Sequence, residues 1–258
     1  EERWRALTDI VSYSAPIVID QAGKRVLICW TANNVYGMNP ENGDIYWTEE
    51  TPYSRAAIAI ADPVVQGDRL YLSSFYDGSY MFKLSTSTQA IEPVWRRSGR
   101  SERKTDALHS INSTPTIFGD TIYGVDAYGQ FRGLDADNGD RFFEDLTIVP
   151  RSRWATVHIT RNGDRHFLFN EKGELIIAEL TPEGVNQISR AQLISPSDGQ
   201  YAGTFSKVRK AAEAKDDQRE GISMFSQDSG VVWTHPAYAN KHVFIRNDNW
   251  LICADLSE

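Results

Sequence analysis

One phrase recurs along this chain and constrains its fold more than any other feature. It runs from a small or polar residue through Pro, an alternating apolar stretch, a turn and a second apolar stretch to a turn rich in Asp, Asn and Gly. It begins at Ser14-Ala15-Pro16-Ile17-Val18-Ile19 and returns at Ala61-Asp62-Pro63-Val64-Val65 and at Ser113-Thr114-Pro115-Thr116-Ile117. A degenerate copy without Pro follows at Trp154-Ala155-Thr156-Val157-His158-Ile159, and a last copy at Thr234-His235-Pro236-Ala237-Tyr238. The anchors Pro16, Pro63, Pro115, Thr156 and Pro236 stand 47, 52, 41 and 80 residues apart. A four-stranded propeller blade takes roughly 40–50 residues. The first three intervals fit, and the last carries more than one blade needs.

Within the first copy, Ser14 to Ile19, Arg25 to Trp30, Val35 to Asn39 and Ile45 to Glu49 read as short strands rich in β-branched and aromatic residues. Turn residues separate them at Gln21-Ala22-Gly23, Ala32-Asn33-Asn34 and Pro40-Glu41-Asn42-Gly43, and Asn42-Gly43 tolerates the positive φ of a tight hairpin. The later copies use Gln66-Gly67-Asp68, Phe118-Gly119-Asp120, Asp137-Asn138-Gly139, Arg161-Asn162-Gly163 and Glu171-Lys172-Gly173 in the same way. The expected fold is all-β, a β-propeller of four-stranded antiparallel blades. About five blades are visible, within one domain spanning residues 1–258. The long last interval holds a polar insertion at about 195–230, where Ser206 to Glu220 has helix-forming composition but too little apolar face for a core helix. A second polar stretch, Arg96 to Lys104, reads as a solvated loop. Trp4 to Val11 is strand-like, and it is one candidate for a strand that closes a ring.

The copies end alike. Gly37-Met38-Asn39-Pro40-Glu41-Asn42-Gly43-Asp44-Ile45-Tyr46-Trp47 and Gly133-Leu134-Asp135-Ala136-Asp137-Asn138-Gly139-Asp140-Arg141-Phe142-Phe143 resemble the tryptophan-docking motif of quinoproteins, Ala-x-Asp-x-x-Thr-Gly-x-x-x-Trp. The C-terminal stretch from Val231 to Leu256 is similar to the final blade of secreted bacterial propellers of planctomycete type. It is more distantly similar to outer-membrane assembly lipoproteins. The chain is thus identified as resembling the pyrroloquinoline-quinone-repeat (quinone-binding-like) β-propeller family, apart from about 195–230. The resemblance implies that Trp47, Trp95 and Phe143 pack against neighbouring blades, with Gly43 and Gly139 in the tight turns. It also implies a periplasmic or secreted protein, and either a ring of the five blades seen or a part of the seven or eight that full-length relatives carry.

Enzymes of that family hold the quinone over a vicinal Cys-Cys disulfide beside a metal ion and a catalytic Asp. Here the two cysteines, Cys29 and Cys253, lie far apart in strand-like runs and read as buried free thiols. No cofactor and no metal site is expected. Asp135-Ala136-Asp137-Asn138-Gly139-Asp140 imitates a calcium loop, but its fifth position is Gly139 and its twelfth Leu146, where oxygen ligands are needed. The five histidines lack the spacing of a zinc pair. His109 and His235 each precede an inner strand, and with Ser14, Asn112, Arg153 and Trp154 they are candidates for a polar pocket at a channel mouth. The alternative is that these residues satisfy backbone groups at a blade edge or face solvent.

The formal charge of −8, from 27 Lys and Arg against 35 Asp and Glu, disfavours a nucleic-acid surface. No apolar run reaches the ~18 residues of a transmembrane helix. The expected function is non-catalytic: a scaffold that binds a protein partner or an extracellular ligand, either alone or as part of a larger chain or assembly. The alternative is a pyrroloquinoline-quinone-dependent oxidoreductase acting on alcohols or sugars.

Overall fold

A computed structural model describes residues 2–197 and 230–257 of the chain. Among them are nineteen strands in five antiparallel sheets. The first sheet runs β1 (Ile17–Gln21), β2 (Lys24–Trp30), β3 (Asn34–Met38), β4 (Ile45–Glu50), each strand beside its sequence neighbour. The second repeats this order with β5 (Val64–Gln66), β6 (Arg69–Ser74), β7 (Gly78–Leu84) and β8 (Ile91–Arg97). The third holds β9 (Thr116–Phe118), β10 (Thr121–Val125), β11 (Phe131–Asp135) and β12 (Arg141–Asp145). The fourth holds β13 (Val157–Asn162), β14 (Arg165–Asn170), β15 (Glu174–Thr181) and β16 (Gly184–Gln192). The fifth has three strands among the described residues, β17 (Ala237–Ala239), β18 (His242–Arg246) and β19 (Leu251–Asp255). This is the all-β, meandering blade architecture of a propeller, and every repeat copy seeds one sheet.

The chain divides into two compact units, Glu1–Asp126 with Arg132–Phe142 (unit 1) and Ala127–Phe131 with Phe143–Glu258 (unit 2). In unit 1, register sets the packing. Ile17 pairs with Ile28 and Val35 with Trp30, so Val26, Ile28, Trp30 and Val35 share one face. That face meets Leu70, Leu72, Tyr80 and Phe82 of the second sheet in one core. A second core joins Tyr71 and Met81 of the second sheet to Ile117, Ile122 and Leu134 of the third. Strands β6 and β7 are buried on both faces, so Leu70, Leu72 and Phe82 serve the first core while Tyr71 and Met81 serve the second. In unit 2, Phe169 and Leu175 of the fourth sheet pack against Val243 and Ile245 of the fifth.

The closing turns behave as the repeat implies. Gly43 and Gly139 adopt φ of 79° and 78°, and each donates its N–H to the carbonyl four residues back, Asn39 and Asp135. Trp95 donates its indole N–H to the Ala136 carbonyl, so the outer strand of the second sheet docks on the closing turn of the third. Trp47 reaches its neighbour differently. It lies in the core between the first and second sheets, over Gly37 of its own sheet, with its indole N–H on Gln21 Oε1. Phe143 meets Phe131 of its own sheet, ring centroids 6.4 Å apart.

Several local expectations change. Residues 4–11 form no strand. They cross the first sheet through one backbone bond, Ala32 N–H to Ile10 O, and through the Asp9 carboxylate, which accepts from Asn34, Thr31 and Tyr36. Those hydrogen bonds, Asn34's first, hold the Asp9 carboxyl below the usual carboxylate range. A segment bound by side chains has no ladder to join. The basic stretch begins inside β8, where Arg97 ties to Asp140, Asp106 and the Asn138 carbonyl rather than to water alone. The two thiols are free, but Cys29 is only half-buried and Cys253 is exposed, because β19 turns that face outward. The expected insertion falls largely on residues 198–229, and the helix-forming stretch 206–220 lies wholly outside the described residues.

Candidate functional site

The six residues singled out in the sequence fall three to each unit. In unit 1, His109 is fully buried and its groups are all engaged. Its Nδ1 lies 2.9 Å from the Phe75 carbonyl, its Nε2 accepts the Gly99 N–H at 3.1 Å, and its own N–H donates to Asp126 Oδ1 at 2.6 Å. Those bonds fit the tautomer protonated on Nδ1. The ring ties the loop after β8 to the turn after β6. Asp126 in turn accepts from Thr105 and faces Arg132 at 3.1 Å, a buried ion pair that also holds the Ala107 carbonyl. Ser14 precedes β1 with its Oγ buried and without a hydrogen-bond partner, and Asn112, half-buried, lies in the segment leading to β9. No hydrogen bond joins Ser14, His109 and Asn112 to one another.

In unit 2 the three candidates gather around a residue the sequence reading treated as a turn. Glu171 follows β14 and is fully buried. Its carboxylate accepts from Ser152 Oγ at 2.9 Å, from the Thr156 N–H at 3.1 Å and from the Trp233 indole N–H at 3.4 Å. Its own N–H donates to the Thr156 carbonyl, and its carbonyl accepts from Val232. One residue therefore brackets the segment 152–156 and the segment 232–233. Burial pushes the Glu171 carboxyl up, against the pull of the bonds from Ser152 and Trp233.

Arg153 and Trp154 ride on the first of these segments. Trp154 has φ of 68°, left-handed backbone that costs a bulky side chain about 1–2 kcal/mol. It is pinned there by its N–H to the Ala127 carbonyl and by its carbonyl to Thr156 Oγ1. The Arg153 guanidinium lies 4.9 Å from the Trp154 ring centroid. On the second segment, Trp233 is 42% exposed and His235 is exposed. The His235 ring sits 3.8 Å from that of His158, whose Nε2 bonds the Trp233 carbonyl. Burial, with His235 second, pushes the buried His158 down to about 4. The result is an aromatic and cationic surface of Arg153, Trp154, Trp233 and His235 over a buried acid. Sequence alone could not place Glu171 there, since Glu171-Lys172-Gly173 has the chemistry of any turn. The only hint to Asp126 and Arg132 was a charge inside each of two apolar runs.

A sequence profile of the family described as outer membrane protein assembly factor BamB matches residues 1–145, more than half of the 258. The chain belongs to this family of pyrroloquinoline-quinone-repeat propellers. The crystal structure of BamB from Moraxella catarrhalis superposes with a TM-score of 0.60 at 13% identity, over 97% of this chain and 62% of that one. A computationally designed protein, Ika8, superposes with a TM-score of 0.52 at 7% identity, over 96% of this chain and 58% of that one. A europium-containing methanol dehydrogenase reaches only 0.48 at 8% identity, over 73% of this chain and 43% of that one, too slight to bear on function. The first two likenesses show the fold, and the chain spans under two thirds of each of those structures. No curated protein matches. No helix among the described residues is long and apolar enough to cross a membrane.

Proposed function

We propose that this chain is a non-catalytic scaffold of the BamB type, working in the periplasm or outside the cell, and that a protein partner docks on the Arg153–Trp154 surface of unit 2. The observation that carries this reading is the backbone of Trp154. A large aromatic is held half-buried in a costly conformation, and the buried Glu171 carboxylate fixes the segment that presents it. Strain of that kind persists where the surroundings over-determine it, and Trp and Arg dominate interface energetics. A family described as an assembly factor supports a role in protein binding. The family's enzymes hold their quinone over an adjacent cysteine pair, and the lack of one here supports the scaffold reading. Cys29 and Cys253 are free thiols in β2 and β19, not an adjacent pair.

A photo-cross-linking residue at Arg151, beside the surface, tests the reading in cells of the source organism. A discrete protein adduct is expected, reduced at least tenfold by Trp154→Gly, in which relief of the backbone strain offsets part of the lost packing. An adduct indifferent to that change overturns the docking surface. Dye-linked alcohol or sugar oxidation on adding pyrroloquinoline quinone with calcium overturns the scaffold reading.

A further inference from the structure

A cleft of about 340 Å³ opens elsewhere in unit 2, between the β13–β14 hairpin and the β17–β18 hairpin. Arg161, Lys241 and His242 line it together with Phe167, Tyr238 and Leu256. No Asp or Glu is among the described residues of its wall, in a chain whose formal charge is −8. Unit 1 has a cleft of similar size, about 360 Å³, whose wall carries Asp68 and Glu92 against the single cation Lys83. The two clefts therefore differ in the charge of their walls.

The turn beside the cleft gives an independent sign. The first hairpins of the other four sheets place Gly23, Gly67, Gly119 and Gly163 in left-handed backbone. The hairpin joining β17 to β18 has no glycine. It puts Asn240 at φ of 50° and Lys241 at 61°. Asn accepts that conformation readily, whereas Lys does so at a cost. Gly23 holds the place of Lys241 in the first sheet's turn, whereas Gly67, Gly119 and Gly163 hold that of Asn240. A lysine in left-handed backbone carries a cost that points to a use for its charge.

The apolar side of the cleft is aromatic, its two rings tilted 38° to one another. The Phe167 and Tyr238 rings lie 5.1 Å apart, and Leu256 closes the wall, with its N–H on the Lys241 carbonyl. His242 contributes less than its neighbours, because its Nδ1 bonds the Asn240 carbonyl and Asp255 stands opposite it across the β18–β19 pair. Arg161 Nε bonds the Gly163 carbonyl, which fixes the guanidinium at the rim.

We propose that this cleft binds a small planar organic anion, with its carboxylate against Arg161 and Lys241 and its flat body on Phe167 and Tyr238. At about 340 Å³ it has room for one such molecule. The site is separate from the Arg153–Trp154 surface and does not depend on the scaffold reading.

Calorimetric titration of the full chain with benzoate, benzamide and inorganic phosphate tests it. Benzoate is expected to bind saturably and about tenfold more tightly than benzamide, which has its shape without its charge, or phosphate, which has charge without the flat body. Lys241→Gly should weaken benzoate about tenfold while leaving the thermal midpoint unchanged or raised, since glycine relieves the strained turn. Arg161→Gln should weaken it similarly. Absence of saturable benzoate binding, equal binding of benzamide or phosphate, or affinity unaffected by Lys241→Gly overturns the proposal.

Discussion

The indole N–H of Trp4 donates to the Pro40 carbonyl at 3.1 Å. Its ring lies against Gly43, so close that a Cβ there would stand 2.6 Å from it. Trp95 stands in the same way on the next-but-one closing turn, with its N–H on Ala136 and its ring 3.0 Å from the Cβ position of Gly139. Pro40 and Gly43 hold the places in their turn that Ala136 and Gly139 hold in theirs. Trp4, outside any strand, thus docks as the tryptophan of a blade's outer strand does.

This geometry separates two contributions of glycine. Gly139→Ala carries the backbone cost of positive φ and also pushes against Trp95 and Arg97. Gly23→Ala carries a similar φ of 76° with nothing within 4 Å of the added methyl. In urea unfolding, Gly23→Ala should cost about 1 kcal/mol and Gly139→Ala about 2–3 kcal/mol. Equal costs would show that tryptophan docking adds nothing.

Glu171→Gln keeps the shape of the anchor but replaces one accepting oxygen with a donor. One of the N–H or O–H groups from Ser152, Thr156 and Trp233 then loses its acceptor, at a cost of roughly 2 kcal/mol. Fluorescence of the seven tryptophans should shift as Trp233 is released, and cross-linking at Arg151 should weaken. Unchanged stability would remove Glu171 as the anchor of the surface.

His158 makes stability depend on pH. Its folded pKa of about 4 lies below the ordinary 6.5, so from pH 6.5 down to 4 the unfolded chain takes up a proton that the native ring refuses. The contribution is present above pH 6.5 and is lost on acidification, by roughly 3 kcal/mol in all. Glu171, raised by burial, works with the opposite sign as pH climbs above 4.5. Comparing wild type with His158→Gln isolates the first effect: the variant should lose less stability between pH 6.5 and 4.

The ion pair of Asp126 and Arg132 is nearly inaccessible, at 1% and 3% side-chain exposure. Asp126→Asn removes the carboxylate that faces the buried guanidinium at 3.1 Å and should cost about 3–5 kcal/mol by chemical unfolding. Arg132→Met added to it should restore part of that loss, because the buried charge is then removed as well. A double variant worse than the single one would mean that the hydrogen bonds to Thr105 and Ala107, not the charge, dominate.

The repeat anchors, the turn glycines and the strand positions were legible from residues alone, because each is a local property of a few neighbours. Ile17–Gln21 starts three residues later and ends two later than the strand read as Ser14 to Ile19, and Lys24–Trp30 starts one residue before the strand read as Arg25 to Trp30. The site was legible only in part. Arg153, Trp154 and His235 stood out by type and place, yet Glu171, which organises them, looks like any acid in a turn. His109 stood out as a channel histidine and lies instead in a net of backbone bonds within unit 1.

What the sequence determined by itself is the period of the chain and the blade it builds, since alternation and turn chemistry act over a few residues. Only the tertiary structure decided which side chains lose water. Glu171 and His158 became unusual when segments distant in sequence closed over them, and Trp154 when its flanks were pinned to Ala127 and Thr156. Burial and strain are set by contacts between segments, and no short run of residues encodes them.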